Sequence, residues 1–188
     1  MSGLKEKLGK KIEEWRPRTT RLIKEFGNVK VDEVDIGQII GGARDIKSLV
    51  TDISYLDPFE GIRFRGLTIP EVMEKLPKVP GGEMPYVEGF CFFLLTGDIP
   101  TLDDIKEVTM EFSHRNVVPK YVFDILRAMP TDSHPMVMFS TAILSMQRES
   151  VFVKDYNSGI LKKNDYWKPT YEDGLNLLAK LPEIATFI

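Results

Sequence analysis

Basic side chains in two turn-like segments are the residues of this sequence best suited to bind an anionic ligand. Arg44 follows the small residues 41–43, whose flexible backbone can present a guanidinium group to a phosphate or a carboxylate. Lys162 and Lys163 follow Gly159 in a polar segment and would act as point charges rather than as a bidentate fork. On residue types alone, ordinary surface charge is the favoured alternative.

Acid–base chemistry has few candidates, because the sequence contains two His and one Cys. His134 precedes a proline at a predicted helix start, where it either acts as an acid–base group or, the favoured interpretation, hydrogen-bonds the turn. His114 is predicted to cap a helix C-terminus, and Cys91 is predicted to be an inert core residue with a raised pKa. The carboxylate pairs at 13–14 and 103–104 are interpreted as solvated helix residues. No metal site is predicted.

The overall composition is typical of a globular protein without a nucleic-acid-binding surface. The 188 residues include 25 Lys and Arg against 28 Asp and Glu, with a net charge of −3 and 43% hydrophobic residues. A single Cys excludes an internal disulfide, and no apolar run reaches the length of a membrane span. Since the N-terminus has no secretory signal, we expect a cytoplasmic protein.

The N-terminal segment 2–26 has the apolar spacing of an amphipathic helix, which Pro17 is expected to break or kink. It contains eight Lys or Arg and four Glu, so it is basic while the rest of the chain is acidic. Such a helix can bind a membrane surface or an acidic partner. A packed helix with solvated lysines is the favoured interpretation.

A β-hairpin is predicted between residues 49 and 66. Apolar and polar residues alternate over 49–55, a turn follows at 57–61, and apolar residues alternate with Arg63 and Arg65 over 62–66. Both arginines would lie on one face of the second strand and are further candidates for binding an anion.

From residue 68 onward the apolar spacing is helical, so we predict an all-α, multihelical protein with one small β-hairpin. The chain stops within an amphipathic pattern at 184–188, so it is expected to be cut from a longer one. The first predicted helices are one at 68–76, opened by a Thr68–Glu71 capping box, and one at 86–96, which is apolar on all sides and ended by Gly97. A helix opened by Thr101 and Asp104 follows, and then one helix that begins at Pro119 and another over 135–148. Residues 151–165 are predicted to be irregular, and the last helix is predicted to be capped by Thr170 and Asp173 and bent or interrupted near Pro182.

Several segments, taken in order, resemble the citrate synthase family. The likeness covers nearly the whole chain, and the extended N-terminal helix is similar to that of the family's larger, mitochondrial-like branch. The matching segments are GGAR at 41–44, LDPFEGIRFRG at 56–66, IPE at 69–71, LTGDIPT at 95–101, PTDSHPM at 130–136, ES at 149–150, YW at 166–167, YED at 171–173 and LAKLP at 178–182.

The resemblance implies that residues 1–188 are the N-terminal portion of a citrate synthase large domain, a multihelical fold that forms a homodimer. The family condenses acetyl-CoA with oxaloacetate to give citrate and CoA in the tricarboxylic acid cycle. In that reaction a carboxylate takes a proton from the acetyl methyl group and a His stabilises the resulting enol. Another His assists attack on the oxaloacetate carbonyl, and arginines hold the carboxylates of oxaloacetate. Those groups belong to the later half of longer chains, and neither His114 nor His134 matches them. The resemblance therefore implies no catalytic residue here, and an inactive fragment whose catalytic C-terminal half is absent.

The resemblance assigns part of a CoA site to this chain. Arg44 matches a family arginine that contacts a CoA phosphate, and Lys162 or Lys163 matches an arginine that reaches the CoA of the partner subunit. The choice between the two lysines is open, because this loop is one residue longer than the family's. The helices at 135–148 and 170–188 match elements of the dimer interface, so exposed apolar surface is expected there.

The resemblance also implies that acetyl-CoA is a substrate, that oxaloacetate is the second one, and that no metal or permanently bound cofactor is needed. Two alternatives stay open. One is 2-methylcitrate synthase, which uses propionyl-CoA; the other is a non-catalytic helical interaction module. No nucleic-acid or membrane partner is expected. The lack of a transit peptide favours a bacterial cytoplasm, with the mitochondrial matrix as the alternative.

Overall fold

A computed structural model describes residues 3–43, 45–46, 50–57 and 59–188 of the chain. The chain divides into two compact units, Met1–Ile105 and Lys106–Ile188. The predicted fold class, multihelical with a small antiparallel sheet, is confirmed. The elements are α1 (Gly3–Phe26), α2 (Ile36–Ile40), β1 (Ser54–Asp57), β2 (Gly61–Phe64), β3 (Leu67–Thr68), α3 (Ile69–Lys75), α4 (Val87–Thr96), α5 (Leu102–Arg115), α6 (Lys120–Ala128), α7 (Pro135–Ser145), α8 (Val151–Asn157) and α9 (Trp167–Phe187), with 3-10 turns at Met146–Glu149 and Lys163–Asp165.

Helix α1 confirms the predicted N-terminal helix, which was expected to break or kink at Pro17; the helix does not break there. Leu4 and Leu8 are buried, whereas residues 16–37 are exposed. Proline removes the N–H that would bond to the carbonyl four residues earlier, at Glu13. Since Glu13 is exposed, water can satisfy that carbonyl, and the helix continues through Pro17 to Phe26.

The sheet is larger than the predicted hairpin. Strand β1 begins at Ser54 and not near Leu49, which lies outside the described residues. The described strands pair antiparallel in the order β1-β2-β3. The third strand arises because Arg65 and Gly66, with φ of 48° and 82°, form a two-residue turn that pairs Phe64 with Leu67. Positive φ at both central residues suits the twist of a two-residue hairpin.

The first unit has a core between the sheet, α3 and α4. Thr68 and Glu71 form the predicted capping box at the start of α3. The buried residues Val72, Leu76 and Phe93 pack with Phe64, Leu67 and Phe90. The rings of Phe64 and Phe90 meet edge to face, with centroids 5.0 Å apart.

Helix α4 ends at Gly97, as predicted, in the left-handed conformation with φ of 78°. The prediction that it is buried on all sides is wrong for part of its surface. Phe92 and Phe93 are buried, but Val87 is 74% exposed. The helix therefore has an inner face and an outer face, which its apolar sequence does not reveal.

The short helix α2 was not predicted, although its start has a local signal. Asp35 and Gln38 form a reciprocal capping box in which each side chain accepts the other residue's backbone N–H. The Asp-x-x-Gln spacing could have indicated this helix.

The second unit has a core of buried residues from α6, α7 and α9 and the segments beside them. Residues 151–165 are not irregular as predicted, because α8 occupies Val151–Asn157. Helix α9 begins at Trp167, before the predicted cap, and continues through Pro182. The buried core residues of this unit are Val118, Val122, Leu126, Ala142, Met146 and Ile184.

The expected exposed apolar surface is present on α7 and α9. Met136, Val137 and Leu144 of α7 are 60%, 56% and 74% exposed, and Leu178 of α9 is 48% exposed. Within the described parts of the chain, no helix combines the length and the apolar character needed to cross a membrane.

Candidate functional site

The lysine loop, residues 158–163, carries two of the predicted anion-binding side chains. Both Lys162 and Lys163 are exposed. Neither ammonium group bonds to another of the residues that the structure describes. Exposed cations at adjacent positions can attract a phosphate from solvent, so the anion-binding role of these lysines stays a prediction.

The turn at the start of the lysine loop is fixed by its own backbone. Gly159 has φ of 72°, and its N–H donates to the carbonyl of Tyr156 at 3.1 Å. The Ser158 hydroxyl donates to the carbonyl of Asp155 at 2.6 Å. On the far side, the N–H of Asp165 donates to the carbonyl of Lys162 at 2.8 Å and closes a 3-10 turn.

Helix α9 holds α8, which leads into the lysine loop. Asp173 of α9 accepts the hydroxyl of Ser150 at 2.6 Å and the N–H groups of Val151 and Phe152 at 2.7 and 3.1 Å. Asp173 was predicted to cap its own helix, and that prediction is wrong because its carboxylate caps α8 instead. Thr170, the other predicted cap, donates its hydroxyl to the carbonyl of Tyr166.

An aromatic cluster joins the two ends of the loop region. Phe152 and Tyr156 of α8 stack with ring centroids 5.9 Å apart. Tyr166, just before α9, meets both rings edge to face, at 5.4 Å from Phe152 and 6.0 Å from Tyr156. The chain segment 157–165 is therefore closed by ring contacts at its base.

Arg44 lies outside the described residues, and the other two predicted anion-binding arginines are engaged within the first unit. Arg63 donates to Glu60 at 2.7 Å and to the carbonyl of Gly66 at 2.9 Å. The Arg65 side chain is 7% exposed. Their assignment as candidates for anion binding is wrong, since internal acceptors already occupy these guanidinium groups.

Arg65 is a structural residue of the first unit. Its Nη2 and Nε donate to the Leu94 carbonyl at 2.6 and 3.0 Å, and Nη2 also reaches the Leu95 carbonyl at 3.2 Å. These carbonyls belong to the last turn of α4, where a cation is favoured by the helix dipole. The guanidinium also lies 4.8 Å from the Trp15 ring centroid and 3.4 Å from Asp52. Burial lowers the pKa of Arg65, and Asp52 opposes that effect.

The two histidines and the cysteine have structural surroundings. The Nδ1 atom of His134 accepts the N–H of Met136 at 3.1 Å, which confirms its interpretation as a residue that hydrogen-bonds the turn and shows that it caps α7. His114 lies in the last turn of α5, as predicted. Burial, followed by the nearby charge of Glu88, raises the pKa of Cys91 to about 11, as predicted for an inert thiol.

The carboxylate pair at 103–104 is not simply solvated, because the Asp104 side chain is 11% exposed. It accepts the N–H and hydroxyl of Thr101 and pairs with Lys7 at 2.5 Å. Burial acts to raise the pKa of Asp104, but Lys7 and Thr101 outweigh it and lower the pKa. The groups of His, Cys, Asp and Glu within the described part of the chain form no metal-binding cluster.

A cleft of about 430 Å³ opens in the second unit beside α5 and α9. Arg115 lines it and donates to Glu172 at 2.7 Å, to Asn176 at 2.9 Å and to Glu111 at 2.9 Å. Burial acts to lower the pKa of Arg115, but Glu172 and Glu111 outweigh it and raise the pKa. Sequence reasoning did not select Arg115, although Glu111 four residues earlier is a local signal for an ion pair.

Comparison with known proteins identifies the family. The family model described as "Citrate synthase, C-terminal domain" matches residues 42–188. The chain is 45% identical over 186 residues to "Citrate synthase, mitochondrial" of Aspergillus niger, covering 99% of this chain and 39% of that protein. It is also 45% identical over 186 residues to "2-methylcitrate synthase, mitochondrial" of Yarrowia lipolytica, covering 99% and 40% of the two. "Citrate synthase 4, mitochondrial" of Arabidopsis thaliana is 39% identical over 185 residues, with 98% and 39% covered.

The chain therefore belongs to the citrate synthase family, whose named members are transferases. It spans about two fifths of the length of the curated relatives that it matches.

Proposed function

We propose that this chain is the N-terminal portion of a citrate synthase large domain, within an enzyme that condenses acetyl-CoA with oxaloacetate to give citrate and CoA in the tricarboxylic acid cycle. The observation that carries this proposal is the family match over residues 42–188, together with 45% identity to a named citrate synthase across 99% of the chain. The catalytic acid–base groups are supplied by sequence outside this chain.

The chain's own contribution to that reaction is binding of the coenzyme. Arg44 contacts a CoA phosphate, and Lys162 or Lys163 reaches the CoA bound by the partner subunit, since Arg and Lys side chains suit such anions. No permanently bound cofactor takes part. His134 caps α7 and burial raises the pKa of the Cys91 thiol to about 11, and neither His114 nor His134 matches a catalytic position of the family. We therefore expect the 188-residue chain alone to be inactive.

We also propose that the full-length protein is a homodimer. The exposed apolar side chains of α7, Met136, Val137 and Leu144, support an interface on this helix. Sedimentation of the full-length protein should give a dimer, and Leu144→Glu should shift it towards monomer. A monomeric full-length protein would contradict this proposal.

The second candidate function is 2-methylcitrate synthase, which uses propionyl-CoA. The observation that favours it is the Yarrowia lipolytica relative, whose identity to this chain equals that of the Aspergillus niger citrate synthase, 45%. Citrate synthase is the better supported function, because the relatives from Emericella nidulans, Neurospora crassa and Xiphias gladius are also named citrate synthase.

Release of CoA from each thioester tests these proposals on the full-length protein and on the chain alone. Turnover of acetyl-CoA with oxaloacetate, faster than turnover of propionyl-CoA, is the expected result for the full-length protein, and no turnover is expected for the chain. Faster use of propionyl-CoA would establish the second candidate. If the full-length protein released no CoA from either thioester, a non-catalytic interaction module would be favoured.

We further propose the mitochondrial matrix as the location, because the named relatives are described as mitochondrial. The first expectation, a bacterial cytoplasm, has no support among them. Fractionation of source cells, with detection of this chain beside a matrix marker, tests the location.

A further inference from the structure

Helix α8 depends on α9 for its stability. It has seven residues, and an isolated helix of that length is not stable in water. The Ser150 hydroxyl accepts the N–H of Val153 at 3.1 Å, while Asp173 accepts the N–H groups of Val151 and Phe152. Both oxygen atoms of the Asp173 carboxylate are used, so the N-terminus of α8 is fixed to one position on α9.

Helix α8 is also fixed along one side by a separate contact. Tyr166 packs edge to face against Phe152 and Tyr156. These rings therefore set where the lysine loop leaves α8 and where it returns to the chain before α9. The lysines themselves are exposed and make no side-chain bond to the other described residues, so their placement depends on the backbone that carries them.

We propose that Asp173 and Tyr166 are positioning residues for coenzyme binding: they hold α8 and the lysine loop so that Lys162 and Lys163 meet the phosphates of an acyl-CoA. The inference rests on the proposed function, because it assigns the lysine loop to that coenzyme. A loop that is already held in place loses less conformational entropy when it binds the coenzyme, so binding is stronger without any new contact. The effect should fall on coenzyme affinity and not on the chemical step.

Steady-state kinetics of the full-length protein test this proposal. Asp173→Asn keeps the size of the side chain, but its amide NH₂ would face the Ser150 hydroxyl and the backbone N–H groups that donate to Asp173. Tyr166→Leu removes the aromatic ring. We expect each variant to raise the KM for acyl-CoA about three- to tenfold. The kcat and the KM for oxaloacetate should stay within about twofold. Tyr166→Phe keeps the ring and should restore most of the affinity.

A control variant separates positioning from general destabilisation. Asp104→Asn also removes a capping carboxylate, but it lies in the first unit, so it should lower thermal stability without changing the KM for acyl-CoA. A double-mutant cycle completes the test. In a protein with both Lys162→Ala and Lys163→Ala, Asp173→Asn should raise the KM no further.

The outcomes distinguish this inference from the proposed function. If the double lysine variant left the KM for acyl-CoA unchanged, the lysine loop would not be a coenzyme contact, and both proposals about it would fail. If the double lysine variant raised the KM while Asp173→Asn and Tyr166→Leu left it unchanged, only the positioning role would be overturned. Should Asp173→Asn fail to fold, Tyr166→Leu and the recovery in Tyr166→Phe decide the matter.

Discussion

The guanidinium group of Arg65 donates two hydrogen bonds to the backbone carbonyl of Leu94, at 2.6 and 3.0 Å. The first residue belongs to the turn between β2 and β3, and the second to the last turn of α4. This pair joins the small sheet to the end of a helix 29 residues away in sequence. An arginine that seemed suited to an external anion is therefore an internal support of the first unit.

Arg65→Lys should destabilise the chain by about 2 kcal/mol, because a single ammonium group cannot reproduce the forked bonds to the α4 carbonyls. Urea unfolding followed by circular dichroism measures the change. Arg63→Lys is the matched control, since Arg63 makes an exposed pair with Glu60 and should lose less than about 1 kcal/mol. Equal losses in the two variants would contradict the structural role of Arg65.

Asp104 should make the stability of the chain depend on pH in the acidic range. The pKa of Asp104 is lowered in the folded state, so its stabilising effect is fully present above the pKa of an Asp carboxyl in the unfolded chain, about 3.9. That effect is lost as the pH falls through the folded pKa. Asp104→Asn should therefore be less stable than the original by about 1 kcal/mol at pH 7, and the gap should narrow below pH 4 or so. Unfolding curves from pH 7 down to pH 3 measure it; a gap independent of pH would contradict this origin.

Cys91 should resist alkylation while the chain is folded. Burial raises the pKa of its thiol from 9.0 to about 11, which lowers the thiolate fraction about 100-fold at neutral pH. Iodoacetamide labelling, followed by mass spectrometry, should be at least that much slower in buffer than in denaturing urea. Similar rates in the two conditions would show that the thiol is accessible and ionised in the folded chain.

Gly159→Ala should destabilise the second unit by about 1 kcal/mol. Its φ of 72° lies in the left-handed region, and no atom within 4 Å would meet an added Cβ, so backbone strain alone is responsible. Gly174→Ala is the matched control. That glycine lies exposed within α9 with equally open space and no positive φ, so alanine should stabilise the helix by about 0.5–1 kcal/mol. Thermal unfolding of both variants should give shifts of opposite sign.

Sequence reasoning succeeded where the determinant lies within a few residues. The Thr68–Glu71 capping box, the end of α4 at Gly97 and the His134 cap are local patterns, and all three are present in the structure. It failed where the partner is distant in sequence. Helix α8 was predicted as irregular because Asp173, which accepts its first two N–H groups, lies outside 151–165; the Ser150 hydroxyl, which accepts the N–H of Val153, is a local cap that the prediction missed.

The candidate site shows the same contrast between features set by nearby residues and features set by residues distant in sequence. Lys162 and Lys163 are exposed, as polar residues after a turn glycine indicate, and their role as site residues stays a prediction. Arg63 and Arg65 have an equally suitable sequence context. They differ because their acceptors, Glu60 with Gly66 and Leu94 with Leu95, are reached only through the folded turn.

The dependence of α8 on Asp173 also constrains the order of events during protein synthesis. Residues 151–157 leave the ribosomal exit tunnel before Asp173, whose carboxylate caps them, has emerged. At typical elongation rates the delay is roughly one to four seconds, which is far longer than helix formation requires. Residues 151–157 therefore remain unstructured in the nascent chain and fold onto α9 only after that helix has emerged.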